Sequence, residues 1–128
     1  IIEKNAADII MPDMAWTGGI TETRKICAMA DTYYLPVCTH DCIGPVAAWS
    51  SAHMLLHIPN AMIMETVRGY YLGWYADVMT EPLPVKDGMC ALGDKPGLGS
   101  ALRPEVLNRA DAHVEVSDEK QKYDASKA

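Results

Sequence analysis

The chain has 128 residues, 49% of them hydrophobic and 22% charged, which is enough for one modest hydrophobic core. Its net charge of −6 argues against a nucleic-acid binder, because such proteins concentrate Lys and Arg on one face. The sequence shows no secretory leader pattern and no apolar stretch long enough to cross a bilayer, so we expect a cytoplasmic protein without a membrane partner.

Residues 7–67 alternate between short apolar runs and helical patterns. Three short apolar runs are typical of strands: residues 7–13, 35–41 and 60–67. The stretches between them have helical spacing: residues 18–34 and 44–59, the second with Pro45 in its first turn. Strands joined by helices in this way pair in parallel through right-handed crossovers, which predicts an α/β fold.

The pattern changes after Val67, where the chain becomes aromatic and then rich in turns. We expect residues 68–110 to form a closing segment with a short helix after Pro104. The Gly-x-Gly at 97–99 is not part of a complete dinucleotide motif and is interpreted as a turn. Residues 111–128 are a polar tail, which we expect to lack regular structure.

Each predicted strand ends in an ionisable side chain: Asp13, His40 and Glu65. The carboxyl ends of parallel strands lie on one face of a sheet, where ligands bind, so these three side chains are expected to converge. A carboxylate beside an imidazole fixes its tautomer and raises its basicity, and a second carboxyl group can hydrogen-bond a substrate oxygen. The pattern favours an acid/base site, although polar residues also end strands simply because chains turn there.

Cys38, His40 and Cys42 alternate along the chain, which raises the question of a metal site. A structural zinc site needs four ligands, usually from paired Cys-x-x-Cys turns, and the other two cysteines form no such pair. Four cysteines are also too few for a disulfide framework, so we expect free thiols. We interpret Cys38 and Cys42 as packing residues and retain His40. His53 and His57 are interpreted as one partly buried and one surface histidine.

Four motifs in order resemble the C-terminal part of the mandelate racemase branch of the enolase superfamily: MPDMAWTGGITETRKICAMA, LPVCTHDCIGPVAAWSSAHM, PNAMIMETV and PGLG. The closest likeness is to its acid-sugar dehydratases, of the galactonate dehydratase kind. The resemblance implies a partial (β/α)8 TIM barrel over residues 1–67, with the sixth, seventh and eighth strands of the barrel at residues 8–13, 36–41 and 62–66. It also implies that residues 68–110 pack on the barrel and on an α+β capping domain.

The resemblance assigns His40 as the general acid/base, Asp13 as its dyad partner and Glu65 as a carboxyl that contacts the substrate. Trp16 is a further candidate substrate contact. The implied chemistry removes the proton α to the carboxylate of a small sugar acid, gives an enediolate stabilised by Mg²⁺, and expels the β-hydroxyl to leave a 2-keto-3-deoxy acid. The family's metal ligands lie on the third to fifth barrel strands, so they are expected upstream of Ile1 and none is assigned to this chain.

These assignments predict that the chain is part of a larger, homo-oligomeric lyase and that the chain alone is inactive and poorly stable. Two alternatives stay open. The same dyad serves racemases and epimerases of the superfamily, in which a second base returns the proton to the opposite face. In the other alternative the chain is a non-catalytic α/β binding module, and its strand-end residues have no chemical role.

Overall fold

The computed structural model describes residues 1–115, so most of the predicted polar tail lies outside the described part, and its residues 111–115 contain no helix or strand. The first four elements alternate: α1 (Ile20–Asp31), β1 (Val37–Thr39), α2 (Pro45–His57) and β2 (Ala61–Met64). Shorter elements follow: α3 (Arg68–Tyr71), α4 (Trp74–Val78), β3 (Val85–Lys86), β4 (Met89–Cys90) and a 3₁₀ turn at Pro104–Asn108. The predicted α/β class is confirmed.

The two strands β1 and β2 pair in parallel, with Val37 opposite Ala61 and Thr39 opposite Met64. The expected first strand, residues 8–13, is reduced to isolated parallel bridges to β1 at Ile10 and Asp13. Pro12 explains the reduction, because it has no N–H to donate to a regular ladder. This segment nevertheless lies beside β1, so the spatial order is residues 10–13, then β1, then β2.

Both long helices are shorter than predicted, and glycine or proline lies at three of their four ends. Gly18 and Gly19 precede α1 with φ of +98° and +87°, the left-handed region that favours glycine. Pro45 occupies the first turn of α2 as expected. Ile58 is already extended at the other end, as is usual for a residue before proline. The helix α2 therefore begins and ends at local signals that the sequence contains, and α1 begins at one.

Two apolar clusters hold the described residues together. The first lies between α1, β1 and α2 and contains Met14, Cys27, Ala30, Val37, Met54 and Ile58. The second lies between α2 and the elements that follow β2, and contains Ala48, Trp49, Tyr75, Met79 and Leu83. The helix α2 thus contributes to both clusters, and the segment after β2 packs against it.

The Gly-x-Gly at 97–99 is a turn, as predicted, and it packs on α2. Gly99 has φ of +86°, and a Cβ added there would lie 3.2 Å from the Trp49 ring, so no larger residue fits without movement. The backbone oxygen of Leu98 lies 2.9 Å from Nε2 of His53. His53 is partly buried and His57 is exposed, which confirms both sequence interpretations.

The strand β2 is far more exposed than β1. Met62 and Ile63 are 58% and 62% exposed, whereas Val37 is completely buried. Within residues 1–115, β1 has a neighbour on each side and β2 has one on a single side. Among the helices of this part of the chain, none is long and apolar enough to span a bilayer.

Candidate active site

The end of β1 places His40 directly beside Asp13. Nδ1 of His40 lies 2.7 Å from Oδ2 of Asp13, and the Asp13 residue is only 5% exposed. The other oxygen, Oδ1, accepts hydrogen bonds from the backbone N–H groups of Ala15 at 2.7 Å and Trp16 at 3.1 Å. Since an ionised carboxylate can only accept, Nδ1 of His40 donates to Asp13 and Nε2 carries the lone pair of the neutral ring.

The pair shifts both pKa values toward the charged forms. Burial by itself raises the pKa of Asp13, but the hydrogen bonds from His40, Ala15 and Trp16 outweigh it, and the net pKa is lowered. The hydrogen bond to Asp13 raises the pKa of His40, burial opposes it, and the nearby carboxylate of Glu65 adds to the rise. The imidazole is therefore a stronger base than a free histidine.

The free nitrogen of His40 faces two further side chains. Oε2 of Glu65 lies 3.9 Å from Nε2, and Sγ of Cys42 lies 3.5 Å from it. Oε2 of Glu65 also accepts a hydrogen bond of 2.8 Å from the backbone N–H of Asp41. Asp13, His40 and Glu65 thus form one cluster, in which each carboxylate approaches a different imidazole nitrogen.

Two other candidates have different positions. Trp16 is 74% exposed, and its ring centroid lies 5.8 Å from that of His40, so the indole borders the open side of the imidazole. The interpretation of Cys42 as a packing residue is wrong, because this thiol is exposed in the loop beyond β1, where its Sγ contacts the imidazole ring of His40. Cys38 is half-buried, and the thiols at positions 27, 38, 42 and 90 are all free.

Sequence reasoning missed a buried hydrogen bond below the cluster. The hydroxyl of Tyr75, in α4, donates to Oδ1 of Asp41 at 3.1 Å, and both residues are 1% exposed. Burial raises the pKa of Asp41, although the Tyr75 hydroxyl and the Val67 backbone N–H favour its charged form. Strand alternation could have indicated it, because side chains that are adjacent in a strand point to opposite faces. Asp41 follows His40 and is therefore expected on the opposite, covered face.

The described residues do not provide a site for Mg²⁺. Within residues 1–115, no three side chains of His, Cys, Asp or Glu are arranged to hold a metal ion. Mg²⁺ prefers octahedral oxygen ligands, whereas oxygens of Asp13 and Glu65 already face the imidazole and backbone N–H groups.

A cavity of about 380 Å³ lies beside the cluster, between the starts of α1 and α2. It is lined mainly by apolar side chains such as Met14, Ile20 and Ile43, and by none of the three ionisable residues. A hydroxylated acid would find almost no hydrogen-bond partners there. The open side of His40 is therefore the better location for a polar ligand.

Comparison with known proteins gives a consistent result. The family model described as Enolase C-terminal domain-like matches residues 1–106. A D-xylonate dehydratase of Haloferax volcanii is 39% identical over 114 residues, which is 89% of this chain and 27% of that protein. A D-galactonate dehydratase of Xanthomonas campestris is 32% identical over 108 residues, 80% of this chain and 28% of that protein.

Solved structures of the same superfamily also match this chain. An enolase protein from environmental sequencing of the Sargasso Sea superposes with a TM-score of 0.78 at 38% identity, covering 86% of this chain and 29% of that one. The chain therefore spans a little over a quarter of the length of the curated relatives that it matches.

Proposed function

Since the chain belongs to the enolase C-terminal domain-like family, we propose that it provides the acid/base end of an active site that dehydrates a sugar acid. Its relatives named as D-xylonate and D-galactonate dehydratases support this substrate class. The observation that carries the proposal is the His40–Asp13 pair, held at 2.7 Å, whose free imidazole nitrogen faces Glu65. The family match and the dehydratase relatives count against a module without chemistry.

In this proposal Nε2 of His40 accepts the proton from the carbon next to the substrate carboxylate, which leaves an enediolate. Asp13 stabilises the imidazolium through the Nδ1 hydrogen bond and keeps the ring in one orientation. The proton on Nε2 then passes to the β-hydroxyl, which departs as water. The resulting enol tautomerises to a 2-keto-3-deoxy acid, while Glu65 accepts a hydrogen bond from a substrate hydroxyl.

The remaining features of the active protein are part of the same proposal. A chain that spans about a quarter of its relatives would be one portion of a (β/α)8 barrel within a longer, homo-oligomeric cytoplasmic enzyme. Residues 68–110 would lie between that barrel and a capping domain. The Mg²⁺ on which such enzymes depend would be held by residues outside this chain, and the chain alone would be inactive.

A chimera tests the function directly. Residues of this chain replace the matching 114-residue segment of the Haloferax volcanii D-xylonate dehydratase. Exchange of the substrate α-proton with deuterium and formation of the keto acid are then followed by NMR. We expect both activities in the chimera, and His40→Asn is expected to lower both by about 10²- to 10⁴-fold, the range for loss of a general acid/base.

His57→Asn is the matched control, because this exposed histidine lies at the end of α2 and is expected to leave both rates unchanged. A folded chimera that retains its rates after His40→Asn would rule out the acid/base role. Proton exchange without any keto acid would instead identify a racemase or epimerase.

A further inference from the structure

A buried hydrogen bond connects the loop after β1 with α4. Tyr75 donates to Oδ1 of Asp41, the Val67 backbone N–H also favours the carboxylate, and Oδ2 has no hydrogen-bond partner within residues 1–115. A buried carboxyl group is costly unless it is hydrogen-bonded. The Tyr75 hydroxyl is therefore the main interaction that holds the Asp41 side chain in place.

Asp41 reaches the His40 cluster through its main chain. Its backbone N–H donates to Oε2 of Glu65 at 2.8 Å, and the same oxygen lies 3.9 Å from Nε2 of His40. We infer that Asp41 and Tyr75 are positioning residues that hold the Glu65 carboxylate beside His40. This inference rests on the proposed function, in which Glu65 contacts the substrate.

Glu65 needs such support because its own strand constrains it weakly. The residue follows β2, whose first three residues are exposed, and the Glu65 side chain is 39% exposed. Its backbone N–H bonds to the oxygen of Thr39, but that bond fixes the chain and not the carboxylate. The Asp41 N–H is thus the contact that selects where the carboxylate oxygen lies.

The arrangement gives a readout that does not depend on catalysis. Asp13, Glu65 and Cys42 face His40, and the buried Asp41 carboxyl acts on it only through its charge. After the Asp13 hydrogen bond, the Glu65 carboxylate is the largest of the carboxylate charges that raise the pKa of His40. If Glu65 moves away, the pKa of His40 falls toward its ordinary value.

Tyr75→Phe tests the inference, because it removes the hydroxyl and keeps the ring. The chain has four histidines, so NMR can follow the His40 titration individually in the 128-residue protein. We expect a lower His40 pKa, in the direction produced by Glu65→Gln, and faster hydrogen exchange of the Asp41 amide. Tyr70→Phe is the control, since Tyr70 packs against the Tyr75 ring at 5.7 Å; it is expected to change neither.

Two substitutions of Asp41 separate position from charge. Asp41→Asn removes the charge but can still accept the hydrogen bond from Tyr75, whereas Asp41→Ala removes both. We expect Asp41→Ala and Tyr75→Phe to lower the His40 pKa more than Asp41→Asn does, with amide protection retained only in Asp41→Asn. Equal effects of the Asn and Ala substitutions would overturn the inference, as would a His40 pKa unchanged by Tyr75→Phe.

The chimera supplies the second measurement. Tyr75→Phe is expected to slow α-proton exchange about tenfold, as a misplaced substrate contact does, while Tyr70→Phe leaves it unchanged. An unchanged exchange rate in an active Tyr75→Phe chimera would overturn the inference even if the isolated variant fails to fold. Loss of all activity in the unsubstituted chimera would count against the proposed function alone, because the titration and amide exchange still decide the positioning.

Discussion

The two neighbours of β1 each bring a carboxylate to His40, but they do so in opposite ways. Residues 10–13 touch β1 only through isolated bridges, yet Asp13 is buried and 2.7 Å from the imidazole. The strand β2 pairs with β1 over its length, with one register shift between Val37 and Cys38, yet Glu65 is half-exposed and 3.9 Å away. The better-paired neighbour thus carries the more loosely held side chain.

The reason lies in the bonds immediately around each carboxylate. Asp13 turns back on its own chain, where Ala15 and Trp16 donate to one oxygen and leave the other for His40. Glu65 has no such local turn and is held by one backbone N–H from the neighbouring strand end. Local hydrogen bonds after the strand, and not the regularity of the strand, therefore determine how firmly each carboxylate is placed.

The largest expected effect is that of Asp13→Asn in the chimera. We expect α-proton exchange to fall about a hundredfold, because the Ala15 and Trp16 N–H groups hold the amide oxygen, so that an uncharged NH2 group faces Nδ1 and favours the wrong tautomer of the imidazole. The raised pKa of His40 places the acid limb of the pH–rate profile above the ordinary histidine value of 6.5, since Nε2 must be unprotonated to accept a proton. The substitution removes the main cause of that rise, so the limb moves to lower pH. An acid limb at the same pH in Asp13→Asn would contradict the proposed effect of the Asp13 hydrogen bond on His40.

Next in size is a contrast in stability between the strands. Val37→Ala in β1 is expected to lower the free energy of unfolding by about 2 kcal/mol, because Val37 is completely buried. Ile63→Ala in β2 is expected to cost less than about 0.5 kcal/mol, because Ile63 is 62% exposed. Urea unfolding of the 128-residue chain measures both. Equal losses would show that β2 is covered in solution.

The smallest effect is that of Glu65→Gln, which keeps the shape of the side chain and an oxygen for the Asp41 N–H. We expect α-proton exchange to fall about tenfold, less than for Asp13→Asn, because His40 retains its oriented ring. The pKa of His40 should fall, since one of the charges that raise it is gone. A loss as large as that of Asp13→Asn would mean that Glu65 takes part in proton transfer itself.

Local sequence features predicted most of the helices and strands. Pro45 at the start of α2 and the short apolar run before His40 indicated a helix and a strand that the structure contains. The strand expected over residues 8–13 was wrong in extent, because Pro12 limits its pairing. Spacing along the chain thus located the elements well and their ends less well.

The candidate cluster was predictable because topology alone places strand ends together. The support beneath it was not, since Asp41 and Tyr75 are 34 positions apart and no periodic pattern relates them. The exposure of Cys42 was missed for a similar reason, because it depends on which elements cover the loop beyond β1. Contacts between distant segments depend on packing, which a single sequence does not reveal.

The position of Trp16 has an optical consequence. An indole whose ring centroid lies 5.8 Å from an imidazole interacts with that imidazole as a cation once the ring is protonated, and its emission is quenched. Steady-state fluorescence of a variant that keeps Trp16 as its sole tryptophan would therefore follow the titration of His40 without isotopes or substrate. The same fluorescence would change when a ligand separates the two rings, so Trp16 would also report ligand binding beside His40.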